Sequence, residues 1–286
     1  MIIGIVNVLN EIDFIDLALQ SMRPIADRLI VAEFCVDRTY PFLWGGGWVT
    51  AEGLSADGTT EWLQEHQKEY GYTHYPLGLT HTSTEATFLQ LAFLHANLGD
   101  YLWIGSGSEI YFPDAGREIR NIVDQGRVHT LRCHLTTLWR DTSHRISGGA
   151  WDLPVERIIR YQEGYYVPHP LYHSIHPQGV VDHSFQEVPQ AFIKTAYARS
   201  SERVMLKFAW QEIEYQDRLS HLGAYRNLTD YIYRTNSWWT EWYDHINQVK
   251  VLPFGGPYPP GVEERISQLS DKPLGETEQD TSWIAL

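Results

Sequence analysis

Residues 99–113 read GDYLWIGSGSEIYFP. An apolar run enters a small polar turn and leaves it as a second apolar run, which predicts strand, turn, strand. Residues 101–104 are aromatic and β-branched enough for a buried strand of an α/β sheet. Residues 105–108 hold too much Gly and Ser to continue it. Open α/β sheets place their ligands at strand carboxyl ends, so this turn is a first candidate binding site. A polar turn with no ligand is the other reading of the same residues.

Working back from this turn, residues 2–9 are apolar except for Gly4 and Asn7 and read as a parallel strand buried on both faces. Asn10 follows as a helix cap. Ile12, Ile15, Leu19 and Met22 recur at helical spacing until Pro24. Residues 27–34, DRLIVAEF, supply a second strand, giving a right-handed βαβ opening. Residues 35–54 form a long connection with Pro41 and three glycines, Gly45, Gly46 and Gly47, between Trp44 and Trp48. It reads either as a hinged flap or as a surface excursion. SADGTT at 55–60 opens a helix carrying Trp62, Leu63 and His66. A third strand is predicted over 72–77, a helix over 84–98 and another over 114–124.

At 286 residues the chain suits one large α/β domain with a sizeable core. Charged residues at 20% and hydrophobic ones at 43% are ordinary globular values. A net charge of -14 argues against a nucleic-acid backbone as partner, since that affinity rests on clustered Lys and Arg. An anionic ligand would need a local cation, either a metal ion or a few converging basic side chains. Cys35 and Cys133 lie in no metal-binding spacing and read as reduced core residues. No basic leader and no apolar run of about 18 residues occurs, so a cytoplasmic protein without a membrane span is expected.

GDYLWIGSGSE is similar in length and pattern to the segment of family 2 GT-A glycosyltransferases that runs into their Asp-x-Asp motif. VLNE at 8–11 and SxDGT at 55–59 resemble that family's two other nucleotide-binding segments and occur in the same order. Together they cover roughly the first 112 residues. The resemblance implies an α/β GT-A fold, Rossmann-like, with a mostly parallel central sheet flanked by helices and a C-terminal helical extension. It implies a single domain over 1–253, with a nucleotide-binding half at 1–112 and an acceptor half at 113–253, followed by an extended acidic tail at 254–286. It further implies a transferase that takes a sugar from a nucleotide-sugar donor, expected to be a UDP-sugar, to a hydroxyl acceptor. A catalytically degenerate domain that binds a sugar nucleotide or glycan without transfer is the alternative. A sugar-nucleotide pyrophosphorylase is disfavoured, because VLNEID stands where a Gly- and Arg-containing loop would be needed.

On this resemblance the nucleotide-binding residues are Val8, Asn10, Glu11, Glu33, Asp57, Gly58, Ser106, Gly107 and Ser108. Glu33 and Asp57 fall near the base and ribose, where a carboxylate accepts from an imide N–H or a hydroxyl. SxDGT alone is a weak signal, since Ser and Asp before a helix are also plain N-caps. The motif's two carboxylates, which hold a divalent cation in the family, are replaced here by Ser106 and Ser108. A hydroxyl is a far weaker ligand for a hard cation. A retained cation, expected to be Mn2+, would therefore depend on Glu109 and His183. Without it, Lys194, Arg199, Arg203 or Lys207 would have to meet the diphosphate.

Past residue 127 the sequence turns to strands with aromatics and histidines. Asp141, Asp152 and Glu156, in WRDT and GGAWDLPVE, follow the donor half at a distance that suits a catalytic base. Each reads equally as a salt-bridged or capping residue. His169, His173 and His176 have metal-like spacing, but Pro168, Pro170 and Pro177 forbid the helix that would align them. Residues 200–222 carry the longest helical pattern, with Arg199, Arg203 and Lys207 spaced along one face.

Overall fold

The run IIGIVNV forms β1 (Ile2–Val8), and its side chains are buried on both faces as a central parallel strand requires. The computed structural model describes residues 1–37, 39–81, 84–162, 165–166, 176–177, 184–199, 203 and 250–269. Within them follow α1 (Ile15–Met22), β2 (Arg28–Val36), α2 (Tyr40–Gly45), α3 (Thr59–Tyr70), β3 (Tyr72–Thr80) and α4 (Thr84–His95). Next come β4 (Tyr101–Ser106), β5 (Glu109–Tyr111), α5 (Pro113–Gln125), β6 (Thr130–Leu138), β7 (His144–Ser147) and β8 (Val155–Arg160). Two short strands, β9 (Tyr165–Tyr166) and β10 (His176–Pro177), pair with each other, and β11 (Phe185–Lys194), β12 (Lys250–Pro253) and α6 (Val262–Leu269) complete the set.

The α/β expectation holds. β3, β2, β1 and β4 lie side by side in parallel, and the sheet continues through β8, β6, β7 and β12 in antiparallel pairs. β11 runs parallel to β6 and also pairs antiparallel with the short β5. One face of the sheet packs on α1 and α5 through Val6, Leu19, Met22, Trp103, Tyr111 and Ile119. The other packs on α4 through Ile5, Ile30, Phe34, Phe88 and Ile104. Gly4 permits the close approach of the first crossover, because a Cβ there would lie 2.8 Å from Leu29 Cδ1. Pro113 sits in the first turn of α5 and left-handed Gly126 ends it, the usual order of these two residues around a helix.

Two expectations need correction, and a third segment, read as a flap or a surface excursion, gains local structure. Asn10 does not cap a helix beginning at residue 11: it has φ +54, and the chain turns before entering α1 at Ile15. Asn tolerates this left-handed conformation better than most residues. The long connection after β2 is folded, with α2 started at Pro41 and with Trp48 packed beside Cys35, Leu43 and Val49. The stretch read as an extended tail contains α6, whose Val262 and Ile266 are buried against Phe14, Ala18 and Ile193. Burial of each such side chain is worth about 1.5–3 kcal/mol, enough to hold a two-turn helix that propensity alone would not. Residues 200–202 and 204–249 lie outside the described residues, and with them most of the predicted C-terminal helices.

Candidate functional site

β1 is flanked by β2 on one side and β4 on the other, so the order of the parallel strands reverses beside it. In open α/β sheets a ligand crevice lies at such a reversal, and the segments leaving the carboxyl ends of β1 and β4 meet there. Residues 7–11 and 106–108 border it. The Asn7 carbonyl accepts from Gly107 N at 3.0 Å. A Cβ on Gly107 would lie 3.0 Å from Glu11 Cγ, so glycine is what lets the turn lie against Glu11. Ser106 and Ser108 share a hydrogen bond between their hydroxyls at 3.1 Å.

The SxDGT segment is bonded to the same place. Asn10 N donates to Ser55 Oγ at 2.9 Å, Glu11 N donates to Thr59 Oγ1 at 2.9 Å, and Ala56 N donates to Asn10 Oδ1 at 3.3 Å. Asp57 accepts from Thr59 N and Thr59 Oγ1 through one oxygen and from Ile12 N through the other. Gly58, with φ +95, begins α3. The hydroxyls and the carboxylate thus satisfy backbone donors that would otherwise be orphaned in a crowded turn. Val8 belongs to the core, 1% exposed.

Arg199 and Arg203 reach into this crevice from the segment after β11. Arg199 pairs with Glu11 and donates to the Asn10 carbonyl at 3.1 Å. Arg203 pairs with Asp57 at 2.8 Å and Asp13 at 3.2 Å, and donates to the same carbonyl. The side chains of Arg199 and Arg203 are 6% and 17% exposed, so they are tolerable at this depth only because they are paired. The two arginines expected at a diphosphate are, in this structure, bound to the carboxylates of the nucleotide segments. Arg199 also lies over the Phe14 ring at 5.3 Å.

Glu33, expected at the base or ribose, lies behind the crevice. It is 0% exposed, and its carboxylate accepts from Ser55 N at 2.9 Å, Thr60 Oγ1 at 2.6 Å and His74 at 3.0 Å. Burial opposes its ionisation, but the bonds from His74, Thr60 and Ser55 outweigh burial and hold its pKa below the usual glutamate value. Glu33 therefore fixes the SxDGT segment to the sheet.

Glu109, expected as a metal ligand, is 1% exposed and gripped by Arg157 through two hydrogen bonds. Lys194 stands opposite Glu109 in the β11–β5 register, and Thr195 N and Oγ1 both donate to the Ser108 carbonyl. Burial lowers the Lys194 pKa and Arg157 adds to the effect, while Glu109 and Glu11 oppose it. Among the described residues the donor set does not fit a divalent cation. Its one carboxylate is spent on Arg157, the two hydroxyls are neutral and bonded to each other, and the buried Asn7 Oδ1 beside them is an uncharged oxygen. Among the described residues no group of three His, Cys, Asp or Glu could hold a metal ion. His183 and Lys207 lie outside the described residues.

The three candidate bases are all engaged. Asp141 accepts from Ser143 N, Ser143 Oγ and His144 at the tip of the β6–β7 hairpin. Burial raises its pKa, and those bonds more than reverse the effect. Asp152 accepts from Ser147 Oγ and from Gly148 N at 2.6 Å, closing the short 3-10 turn Gly149–Asp152. Glu156 pairs with Arg132 at 3.1 Å. Tyr197, which sequence reasoning passed over, packs beside two of the segments that carry them: Arg140 N donates to its carbonyl at 2.8 Å, and Trp151 lies edge-on to its ring at 5.7 Å. Arg157, Asp13 and Thr195 were also missed, and only their contacts with distant segments reveal them.

Neither a protein-family model nor a curated protein sequence matches the chain. Among solved structures, S. aureus TarS 1-349 is 10% identical with a TM-score of 0.40, over 85% of this chain and 78% of that one. TarS 1-349 in complex with UDP-GlcNAc is 11% identical with a TM-score of 0.33; the match covers 48% of this chain and spans 35% of that chain's length. Mannose-6-phosphate isomerase from Helicobacter pylori is 13% identical with a TM-score of 0.30, over 57% of this chain and 61% of that one. Likenesses this low decide neither fold family nor activity.

Proposed function

We propose that this chain is a nucleotide-sugar-dependent glycosyltransferase of the GT-A type, with a UDP-sugar as donor and a hydroxyl compound as acceptor. The observation that carries the reading is the convergence of VLNE, SxDGT and the Ser106–Ser108 turn. Three segments up to about a hundred residues apart meet at one crevice, beside the strand where the parallel order reverses, and such crevices bind ligands. In the reaction the acceptor oxygen bonds to the anomeric carbon, and the bond from that carbon to the diphosphate breaks. The nucleoside diphosphate leaves with the electron pair, and the hydroxyl proton passes to a base. Asp141, Asp152 and Glu156 are the candidates for that base, and each would have to exchange a present partner for the acceptor hydroxyl.

A second reading, binding of a sugar nucleotide without transfer, is favoured by one feature: Asp141, Asp152 and Glu156 each already serve a turn or an ion pair. Incubation of the protein with UDP-glucose, UDP-galactose and UDP-GlcNAc, followed by assay of released UDP, separates the two. Release above the protein-free rate from at least one donor supports transfer or donor hydrolysis. Binding without release supports the second reading. Neither binding nor release for any of the three contradicts both.

A further inference from the structure

Among the described residues, the crevice and the turn beneath it hold four carboxylates, Glu11, Asp13, Asp57 and Glu109, and four cations, Arg157, Lys194, Arg199 and Arg203. Three of the cations are spoken for: Arg157 by Glu109, Arg199 by Glu11, and Arg203 by Asp57 and Asp13. Lys194 differs. No ion pair within 4.0 Å joins it to a carboxylate of the described residues, although Glu109 stands opposite it across the β5–β11 pair. Its place is fixed from both ends, by that register and by the two bonds from Thr195 to the Ser108 carbonyl. It is only partly buried, whereas Glu109 is 1% exposed.

We propose that Lys194 takes the part of a divalent cation in this chain: its ammonium meets the diphosphate of the nucleotide donor beside Ser106 and Ser108, and no metal ion is needed. This inference rests on the donor reading above. Charge balance argues for it. A divalent ion held by two carboxylates adds no net charge to a turn, and two hydroxyls without an ion also add none. The hydroxyls of Ser106 and Ser108 gain a capacity carboxylates lack, since each can donate a hydrogen bond to a phosphate oxygen. A single ammonium is then the positive charge that stabilises the leaving diphosphate, as a compact point charge suited to phosphate. Burial lowers the proton affinity of Lys194, and an incoming anion would raise it again.

Calorimetry with UDP and with uridine on the full chain tests this, in EDTA and again with Mn2+. The expected result is a UDP affinity that agrees within about twofold in the two buffers. Lys194→Met should weaken UDP about tenfold or more while leaving uridine unchanged, as loss of one charge-assisted phosphate contact implies. Lys194→Arg should recover part of the loss. A UDP affinity that falls about tenfold in EDTA and returns with Mn2+ overturns the inference, as does a Lys194→Met protein that binds UDP normally. If Lys194→Met does not fold, the wild-type comparison in EDTA still decides. Metal-dependent UDP binding would overturn this inference alone, whereas absence of UDP and uridine binding in every buffer would overturn the donor reading and this inference with it.

Discussion

Arg157 holds Glu109 by two hydrogen bonds, Nε to Oε2 at 3.2 Å and Nη2 to Oε1 at 2.7 Å, with the side chains 7% and 1% exposed. A carboxylate in that position is a structural anchor under the Ser106–Ser108 turn. Glu109→Gln should therefore cost about 3–5 kcal/mol of stability, because it leaves Arg157 buried without its counter-charge. Denaturant unfolding measures this. A loss below about 1 kcal/mol would mean that the pair is not formed in solution.

Glu33 predicts a pH dependence. Its folded-state pKa is depressed, so its contribution to stability is fully present above the unfolded value of about 4.3 and is lost as pH falls through the lower folded value. The stability difference between wild type and Glu33→Gln should shrink as pH falls below about 4.3. Carboxylates common to both proteins, such as Asp27 and Asp141, cancel in that difference. A gap that stays constant from neutral pH to well below that point would contradict the assignment.

Asp57 joins Ile12 N, Thr59 and Arg203. Asp57→Ala should lower the unfolding free energy by about 1–3 kcal/mol, since it leaves the half-buried Arg203 with Asp13 as its remaining carboxylate and leaves backbone donors short of a partner. Thermal unfolding, with UDP affinity measured alongside, checks both roles. A variant as stable as wild type would show that the Arg203 contact carries nothing.

How much of this could be read in advance depended on sequence distance. The strand at 101–104 and the SxDGT start of α3 are local patterns and were placed correctly, but β4 runs on through Gly105 and Ser106, which pair with Val6 and Asn7, so the turn is Gly107 and Ser108. The pairing of Arg157 with Glu109 spans 48 residues and that of Arg199 with Glu11 spans 188, and no spacing rule marks one arginine over another at such range. Glu33 and Glu109 drew ligand readings for the same reason: a carboxylate near a strand end looks alike in sequence whether it faces a crevice or, as here, accepts from buried donors. α6 was legible after all. Val262 and Ile266 stand four apart, an amphipathic signal hidden by the Pro- and Gly-rich run before it.

Both cysteines are closed to solvent, Cys35 at 1% and Cys133 at 0% exposure, and burial pushes the Cys133 thiol pKa up to about 12. With almost no thiolate near neutral pH, neither should react with iodoacetamide in the native protein, and both should react once it is unfolded. Mass spectrometry counts the labels. Rapid native labelling would contradict the packing of β2 and β6.

The central claim is that a nucleotide-sugar donor binds where residues 8–11, 55–60 and 105–108 meet. Hydrogen exchange of the full chain with and without UDP-GlcNAc, UDP-glucose or UDP tests it most directly. The account predicts slower exchange in all three segments together, because a donor in the crevice contacts each of them. Protection that instead falls on the separate cavity between α1 and α5, of about 600 Å³ and lined by Leu17, Ile25, Pro113 and Pro259, would contradict it, as would no change anywhere.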